Sequence, residues 1–203
     1  MKKIATFLTS AAILTTAIAC NPAPETSTTA PTPTEEQTTE EQAEDGELQN
    51  PGDTATNEAG KATLVKIARP EETIETGPMK MTVKTINIVD WEPSDQLKPV
   101  IQKEGTVTMI SVSAIVENTS EDTISFHPNQ AQIVAGKEQT QANLIMSEQV
   151  GGEFIGQIEK KGKIIFILDT PAQDIETVKM VINAPNNESL QSVGDKVTLE
   201  YEL

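Results

Sequence analysis

The stretch TMISVSAIVEN, residues 108–118, decides the fold, because its apolar and polar side chains alternate with a period of two. The apolar side chains on one face are Ile110, Val112, Ala114 and Val116. Ser111 and Ser113 share the opposite face. A period of two is typical of a β-strand that buries one side and exposes the other. This segment therefore predicts an antiparallel sheet with one face in a hydrophobic core.

Residues 79–91 repeat this pattern with one interruption. Their apolar positions include Met79, Met81, Val83, Ile86 and Ile88. The alternation holds up to residue 83 and then shifts by one. Such a shift would move every later side chain to the other face unless an extra residue bulges out of the ladder. We therefore predict a β-bulge near Thr85.

Shorter segments of similar character follow the same rule along the chain. They lie at residues 62–68, 123–126, 132–135, 141–146, 154–158, 164–168, 177–183 and 197–202. Turn signals separate several of them, at residues 118–120, 135–137, 161–163 and 185–187. Since no segment has a long helical period, we predict an all-β fold. Eight to ten short strands favour an immunoglobulin-like antiparallel β-sandwich over residues 61–203.

Several of these motifs resemble a known family. They are VENTS at 116–120, Ile124 with Phe126, QIV at 132–134, and IEKKGKIIF at 158–166. Over residues 79–203 the order of these motifs is similar to the telokin-like domain of unknown function in Gram-positive lipoproteins. The resemblance implies a secreted sandwich without known catalysis. Some relatives carry a long low-complexity linker after a lipidated cysteine, and this chain has the corresponding segments.

The N-terminus has the pattern of a lipoprotein signal peptide. Lys2 and Lys3 precede an apolar, Thr-rich run that is too short to span a bilayer. The run ends in Ala17-Ile18-Ala19-Cys20, which resembles a bacterial lipobox, although Ala17 stands where that family usually has Leu. We predict a signal peptide over residues 1–19, cleavage between Ala19 and Cys20, and lipid on Cys20.

Lipidation of Cys20 would make the membrane a partner of the protein. Cys20 is the chain's single cysteine, so an internal disulfide is excluded and lipid would cap an otherwise free thiol. Two or more acyl chains give stable attachment. The predicted location is therefore the extracytoplasmic face of the cell membrane.

Residues 20–60 have the composition of a disordered tether. From residue 21 to 60 the chain holds ten acids and no base, is rich in Thr, Glu and Pro, and has Leu48 as its one large aliphatic residue. Such a segment cannot bury enough surface to offset its ordering entropy. We predict an acidic spacer between the lipid and the folded domain.

The composition also excludes some functions. A formal net charge of -16 is unsuited to nucleic acid, which is bound through basic groups. His127 is the single histidine, so a multi-histidine metal site is excluded and a Ser-His relay would depend on this residue. No Gly-x-Ser-x-Gly elbow surrounds Ser111 or Ser125. We therefore expect no enzyme and no cofactor, and an exported hydrolase is the weakest alternative.

A second alternative is an envelope copper chaperone. Met79, Met81 and His127 could offer soft ligands to Cu(I). Spacing by two also places both methionines on one sheet face, which favours core packing. Trp91 also has two interpretations: it either packs in the core or recognises a ligand from a loop. Packing is favoured.

Together these observations predict a membrane-anchored, non-catalytic module. The leading hypothesis is that its sandwich binds a protein or a cell-envelope ligand through its loops or a sheet edge.

Overall fold

The computed structural model describes residues 48–203. Ala19, Cys20, the predicted signal peptide and residues 20–47 of the predicted tether lie outside the described residues. The strands are β1 Thr54–Asn57, β2 Gly60–Ala68, β3 Glu72–Thr76, β4 Met79–Pro93, β5 Val107–Asn118, β6 Thr123–Phe126, β7 Gln132–Ala135, β8 Glu138–Gln141, β9 Gly152–Ile155, β10 Glu159–Leu168, β11 Thr177–Ile182, β12 Asn186–Asn187 and β13 Val197–Glu202. A single helical turn, α1 Lys98–Ile101, and two 3₁₀ turns, Pro128–Gln130 and Ala172–Asp174, complete the described elements.

The long strands β4 and β5 form the centre of a six-stranded sheet. Its order is β1-β2-β4-β5-β10, and β3 pairs with the first part of β4 while β2 pairs with the second part. All these pairings are antiparallel. The period-two segment 108–118 is thus an interior strand, as its alternation predicts.

The predicted bulge lies at Lys84. Val83 pairs with Ala114 of β5 and Thr85 pairs with the next residue, Ser113, so Lys84 has no partner of its own in the ladder. The extra residue keeps the apolar residues of β4 on the inner face on both sides of the bulge. The bulge predicted from the phase shift is confirmed.

Two smaller sheets cover the inner face of the large sheet. One has the order β13-β11-β7-β8 and the other β12-β6-β9. Between the layers lies the main core, in which Phe126, Phe154 and Phe166 are fully buried. Each large apolar side chain buried there contributes roughly 1.5 to 3 kcal/mol relative to exposure. The predicted all-β, antiparallel sandwich architecture is confirmed.

A second apolar cluster lies on the outer face of the large sheet. Its buried members are Leu64, Val89, Trp91 and Val107. Leu97 and Ile101, at the α1 turn, pack against it, and so does Leu48. Trp91 is 2% exposed, so the packing interpretation of this residue is confirmed.

Leu48 and β1 correct the predicted boundary between tether and domain. The sequence placed residues up to 60 in the tether, but β1 pairs with β2 from Thr54 opposite Thr63 to Asn57 opposite Gly60. Threonine and asparagine left no apolar alternation to recognise in this short edge strand. Residues 61–78 also belong to the fold, since they contain most of β2 and all of β3.

Residues 185–187, predicted as a turn, include β12, and residues 156–158, predicted as strand, follow the end of β9. Two other wrong expectations concern β10 and the segment beside it. Residues 161–163, predicted as a turn, lie inside β10 and pair with β5. Residues 142–146, predicted as part of a strand, form a loop; the strand there is β8, which ends at Gln141. The loop is set by Asn143, whose Oδ1 accepts hydrogen bonds from the N–H groups of Ile145 and Met146 at 3.1 and 3.2 Å. A side chain that bonds its own following backbone in this way competes with strand formation.

Candidate functional site: a cleft on the outer face of the large sheet

The structure places the candidate metal ligands in different environments. Met79 and Met81 are each 1% exposed and belong to the main core, as the core interpretation of their spacing predicted. His127 follows β6 and lies outside that core, with its Nδ1 3.3 Å from Nε2 of Gln130. Within residues 48–203 no group of three or more His, Cys, Asp or Glu side chains could hold a metal ion.

The serines considered as nucleophiles lie on different sheets. Ser111 is on the outer face of β5 in the large sheet, whereas Ser125 is on β6 in a small sheet. A serine–histidine relay requires a hydrogen bond between hydroxyl and imidazole. The imidazole of His127 instead faces the Gln130 amide.

The feature best suited to hold a ligand is a cleft of about 490 Å³ on the outer face of the large sheet. This volume lies within the range of pockets that bind small molecules. The cleft is lined by Leu48, Ala55, Thr56, Asn57, Ala62, Thr85, Asn87, Val89, Met109, Ser111, Ser113, Lys163 and Ile165. We call it the outer cleft.

The floor of the outer cleft consists of two polar cross-strand pairs. Thr85 of β4 lies opposite Ser113 of β5, and Asn87 lies opposite Ser111. These residues face outward because the bulge at Lys84 sets the phase of β4 beyond it. Asn87 Oδ1 is buried and has no hydrogen-bond partner among the described residues. The floor therefore consists of hydroxyl and amide side chains, and the oxygen of one amide is buried and unsatisfied.

The walls of the outer cleft come from both edges of the large sheet. Ala55, Thr56 and Asn57 belong to β1 at one edge, and Lys163 and Ile165 belong to β10 at the other. Both edges can border one cleft only if the sheet curls across its outer face, as twisted sheets do. Apolar wall surface is supplied by Leu48, Val89, Met109 and Ile165.

The charge of the outer cleft differs from that of the domain around it. The first 47 residues carry eight of the 31 acids and two of the 15 bases, which leaves 23 acids and 13 bases in residues 48–203. Yet no acid lines the outer cleft, and Lys163 is its single ionisable residue. The cleft is thus a neutral to weakly positive area on an acidic domain.

The loop of residues 143–148 seals the edge of β10 beside the cleft. Asn143 N–H donates to the Ile165 carbonyl at 2.7 Å, and Ile165 N–H donates to Ser147 Oγ at 2.9 Å. Glu148 N–H donates to the Lys163 carbonyl at 2.9 Å. The outward backbone groups of Lys163 and Ile165 are therefore occupied, which is how native sheets protect part of an edge from unwanted pairing.

A second cavity lies at one end of the sandwich, and it has different chemistry. Its volume is about 500 Å³, and its lining includes the acids Asp122 and Glu188. The adjoining loop holds Leu190, which has a φ of 60° and is 84% exposed. No unsatisfied buried polar atom is found among its lining residues, so the outer cleft is the stronger candidate.

Sequence reasoning identified the polar face of β5 but not the cleft above it. Alternating Ser and Thr on a strand predict a face in contact with water, and the facing walls lie far away in the chain. One signal was available: a solvent face usually carries Lys and Glu, whereas Thr85, Asn87, Ser111 and Ser113 are all uncharged.

The fold and the outer cleft together define an antiparallel β-sandwich domain with an open cleft on the outer face of its larger sheet. No family model matches the sequence. The chain is 30% identical over 156 residues to the SPbeta prophage-derived uncharacterized lipoprotein YonS of Bacillus subtilis (strain 168), which covers 75% of this chain and 71% of YonS. The chain therefore belongs to the family of this Bacillus lipoprotein.

The chain is also similar to solved structures. A functionally unknown protein from Listeria monocytogenes EGD-e matches with a TM-score of 0.55 and 11% identity, over 71% of this chain and 89% of that one. The yjhA protein from Bacillus subtilis matches with a TM-score of 0.46 and 17% identity, over 65% and 96%. The first likeness supports the fold alone. None of the helices in residues 48–203 has the length and apolar character needed to cross a membrane.

Proposed function

We propose that this protein is a lipid-anchored, extracytoplasmic lipoprotein whose immunoglobulin-like sandwich binds a protein or cell-envelope ligand in the outer cleft, without catalysis. The observation that carries the proposal is Asn87 Oδ1, which is buried at the floor of the cleft without a hydrogen-bond partner. Leaving a buried acceptor unsatisfied costs about 1 to 3 kcal/mol. A ligand that draws the Asn87 amide toward the cleft and donates a hydrogen bond to its oxygen would remove this cost.

The composition of the cleft supports binding rather than chemistry. General acid–base catalysis needs a titratable group positioned at the reacting atoms. Lys163 is the single ionisable residue of the lining, and it lies on an exposed part of β10. Hydroxyls and an amide between apolar walls are instead the usual composition of a site that orients a ligand.

The lipid anchor rests on Cys20 and on the family. The lipobox places the only thiol of the chain at the cleavage site, and YonS is described as a lipoprotein. In cells that produce the full chain, Cys20→Ser is expected to move the protein from the membrane fraction to the medium or to leave it unprocessed. The control Pro22→Ala keeps the cysteine and should stay in the membrane. Retention of Cys20→Ser in that fraction, processed as normal, would refute the anchor.

The binding role is tested by photocrosslinking in intact cells. A photoreactive amino acid replaces Ser113 in the cleft floor of the full chain, and the matched control carries it at Thr198, an exposed position of β13. We expect a discrete adduct from position 113 that is missing from position 198. Identical adduct patterns at both positions, or none at position 113, would contradict the proposed function.

A further inference from the structure

We propose that the ligand of the outer cleft is an extended polypeptide segment that adds as a strand to the free edge of β1. This inference rests on the proposed function and narrows its ligand to one class. Strand addition to an exposed sheet edge is a common way to bind a peptide, with main-chain hydrogen bonds giving affinity and side-chain contacts giving specificity.

The hydrogen bonds at the start of β1 determine which of its backbone groups are free. Leu64 N–H donates to the Asp53 carbonyl at 2.8 Å, and Gly52 N–H donates to the Leu64 carbonyl at 2.7 Å. Position 53 is therefore bonded to β2. In an antiparallel pair, bonded positions alternate along the strand. Ala55 and Asn57 are thus bonded to β2, while the N–H and C=O groups of Thr54 and Thr56 point away from it.

Those outward groups have no backbone partner among residues 48–203. β1 is the last strand in the order of its sheet, so no described strand lies beyond it. No turn or loop hydrogen bond involves the N–H or C=O of Thr54 or Thr56. Thr56 itself lines the outer cleft, so a segment lying in the cleft can reach these groups.

The other surfaces of the cleft cannot pair with a peptide backbone. The floor belongs to β4 and β5, which are both hydrogen-bonded on each side. The edge of β10 is occupied by the loop at Asn143, Ser147 and Glu148. Among the strand residues that line the cleft, main-chain pairing is therefore open at β1 alone, and the floor can contact side chains only.

The cleft also constrains the side chains of its occupant. Every second residue of an added strand points to the same side, toward the polar pairs of the floor. Lys163 at the opposite wall, with no acid in the lining, suits a segment that presents an acidic side chain. A sugar chain fits less well, because no aromatic side chain lines the cleft to pack against a sugar ring.

The test uses the purified full chain and an array of ten-residue peptides that varies in acidic content. We expect peptides with an acidic residue to bind. We expect Thr56→Pro to weaken binding about tenfold or more, because proline removes the free N–H and adds bulk at the open edge. Thr56→Ala keeps that N–H and should lose far less affinity than Thr56→Pro does. Thr198→Ala, at an exposed position of β13 outside the cleft lining, should bind as the parent does. Lys163→Gln should selectively weaken the acidic peptides.

Folding of the variant is controlled separately. Since the Thr56 N–H is not bonded to β2, Thr56→Pro should keep a normal unfolding transition. If it does not fold, the parent protein is tested with two sets of N-methylated peptides, one methylated at the odd and the other at the even positions. Only one of these registers removes the N–H groups that face β1, so only that set should lose binding.

The proposal fails if no peptide binds at millimolar concentration, or if peptides bind equally to Thr56→Pro and tolerate N-methylation in both registers. A specific adduct at Ser113 that proves to be a glycan would also overturn strand addition, while leaving the proposed binding function intact.

Discussion

The side chain of Glu148 lies directly over Gly162. A β-carbon at residue 162 would stand 2.9 Å from both the β-carbon and Oε2 of Glu148. The same Oε2 accepts a hydrogen bond from the Lys163 N–H at 3.0 Å. Gly162 is therefore a strand residue that allows a close approach, and its role is to let the loop of residues 143–148 seal the edge of β10.

Gly162→Ala is expected to destabilise the protein by about 1 to 3 kcal/mol, the usual range for an inserted methyl group that displaces well-packed neighbours. One of the atoms that the new methyl group would displace is the β-carbon of Glu148, which cannot move without its backbone. Urea unfolding, followed by the fluorescence of Trp91, measures the change. Lys161→Ala, an exposed position of the same strand, is the control and should change stability by less than about 0.5 kcal/mol. Equal stability of the two variants would contradict this account.

Leu48→Ala tests whether the domain begins before residue 60. Leu48 packs against the outer apolar cluster that contains Trp91. Removing its partly buried side chain should cost about 1 to 2 kcal/mol, given about 0.8 kcal/mol for each buried methylene. Leu190→Ala, at a side chain that is 84% exposed, should be nearly neutral. If residue 48 belonged to a flexible tether, the two variants would have the same urea midpoint.

The elements predicted correctly are those whose side chains alternate. Strand β5 and the bulge at Lys84 follow from the spacing of buried Ile and Val, since burial of one face requires a fixed phase. Strands β1 and β3 were missed because their Thr, Glu and Asn side chains are mostly exposed, and pairing with β2 and β4 rather than burial holds them. Gly162 was misinterpreted because its partner, Glu148, contacts it only in the folded chain.

The outer cleft could not be predicted for a related reason. Asn87 and Ser111 are adjacent only because β4 and β5 pair in one register, and Thr56 borders them only because the sheet curls. Local sequence gives the face on which a residue lies. It does not give what lies across that face.

Asn118→Ala is expected to be among the most destabilising single substitutions. The side chain is fully buried, and its Nδ2 donates to the carbonyls of Asp122 at 2.7 Å and Gly156 at 3.0 Å. Its Oδ1 accepts from the N–H and Oγ of Ser120. Removing the amide leaves these groups without hydrogen-bond partners. Each group that water cannot reach then lowers the stability of the fold by about 1 to 3 kcal/mol. The expected total is at least about 2 kcal/mol.

The control for Asn118 is Asn183→Ala, at the exposed residue that follows β11. Both variants lose the same side chain, so a difference in their unfolding midpoints reports the buried hydrogen bonds. A shift of the same size in both would mean that the bonds of Asn118 contribute no net stability.

Tyr201 makes the stability of the domain depend on pH at the alkaline end. Its hydroxyl is buried, and no atom of the described residues lies in hydrogen-bonding geometry with it. Burial raises the pKa of this phenol well above its ordinary 10, and the nearby Glu72 carboxylate adds to the shift. Above pH 10 the unfolded chain therefore loses a proton that the folded chain keeps. The neutral phenol therefore contributes its full share of the free energy of unfolding below pH 10. This contribution declines as the pH rises further.

Tyr201→Phe should remove this decline, because phenylalanine has no proton to lose. At pH 7 the variant should be as stable as the parent or slightly more so, since it buries no unpaired hydroxyl. Urea unfolding of both proteins at pH 8 and pH 11 measures the difference, and the lysines, which titrate in both, cancel in the comparison. Because Tyr201 is the single tyrosine, absorbance near 295 nm reports its ionisation directly. Phenolate absorbance that rises near pH 10 in the still-folded parent would show that the hydroxyl is accessible to water, and the pH dependence would then have another source.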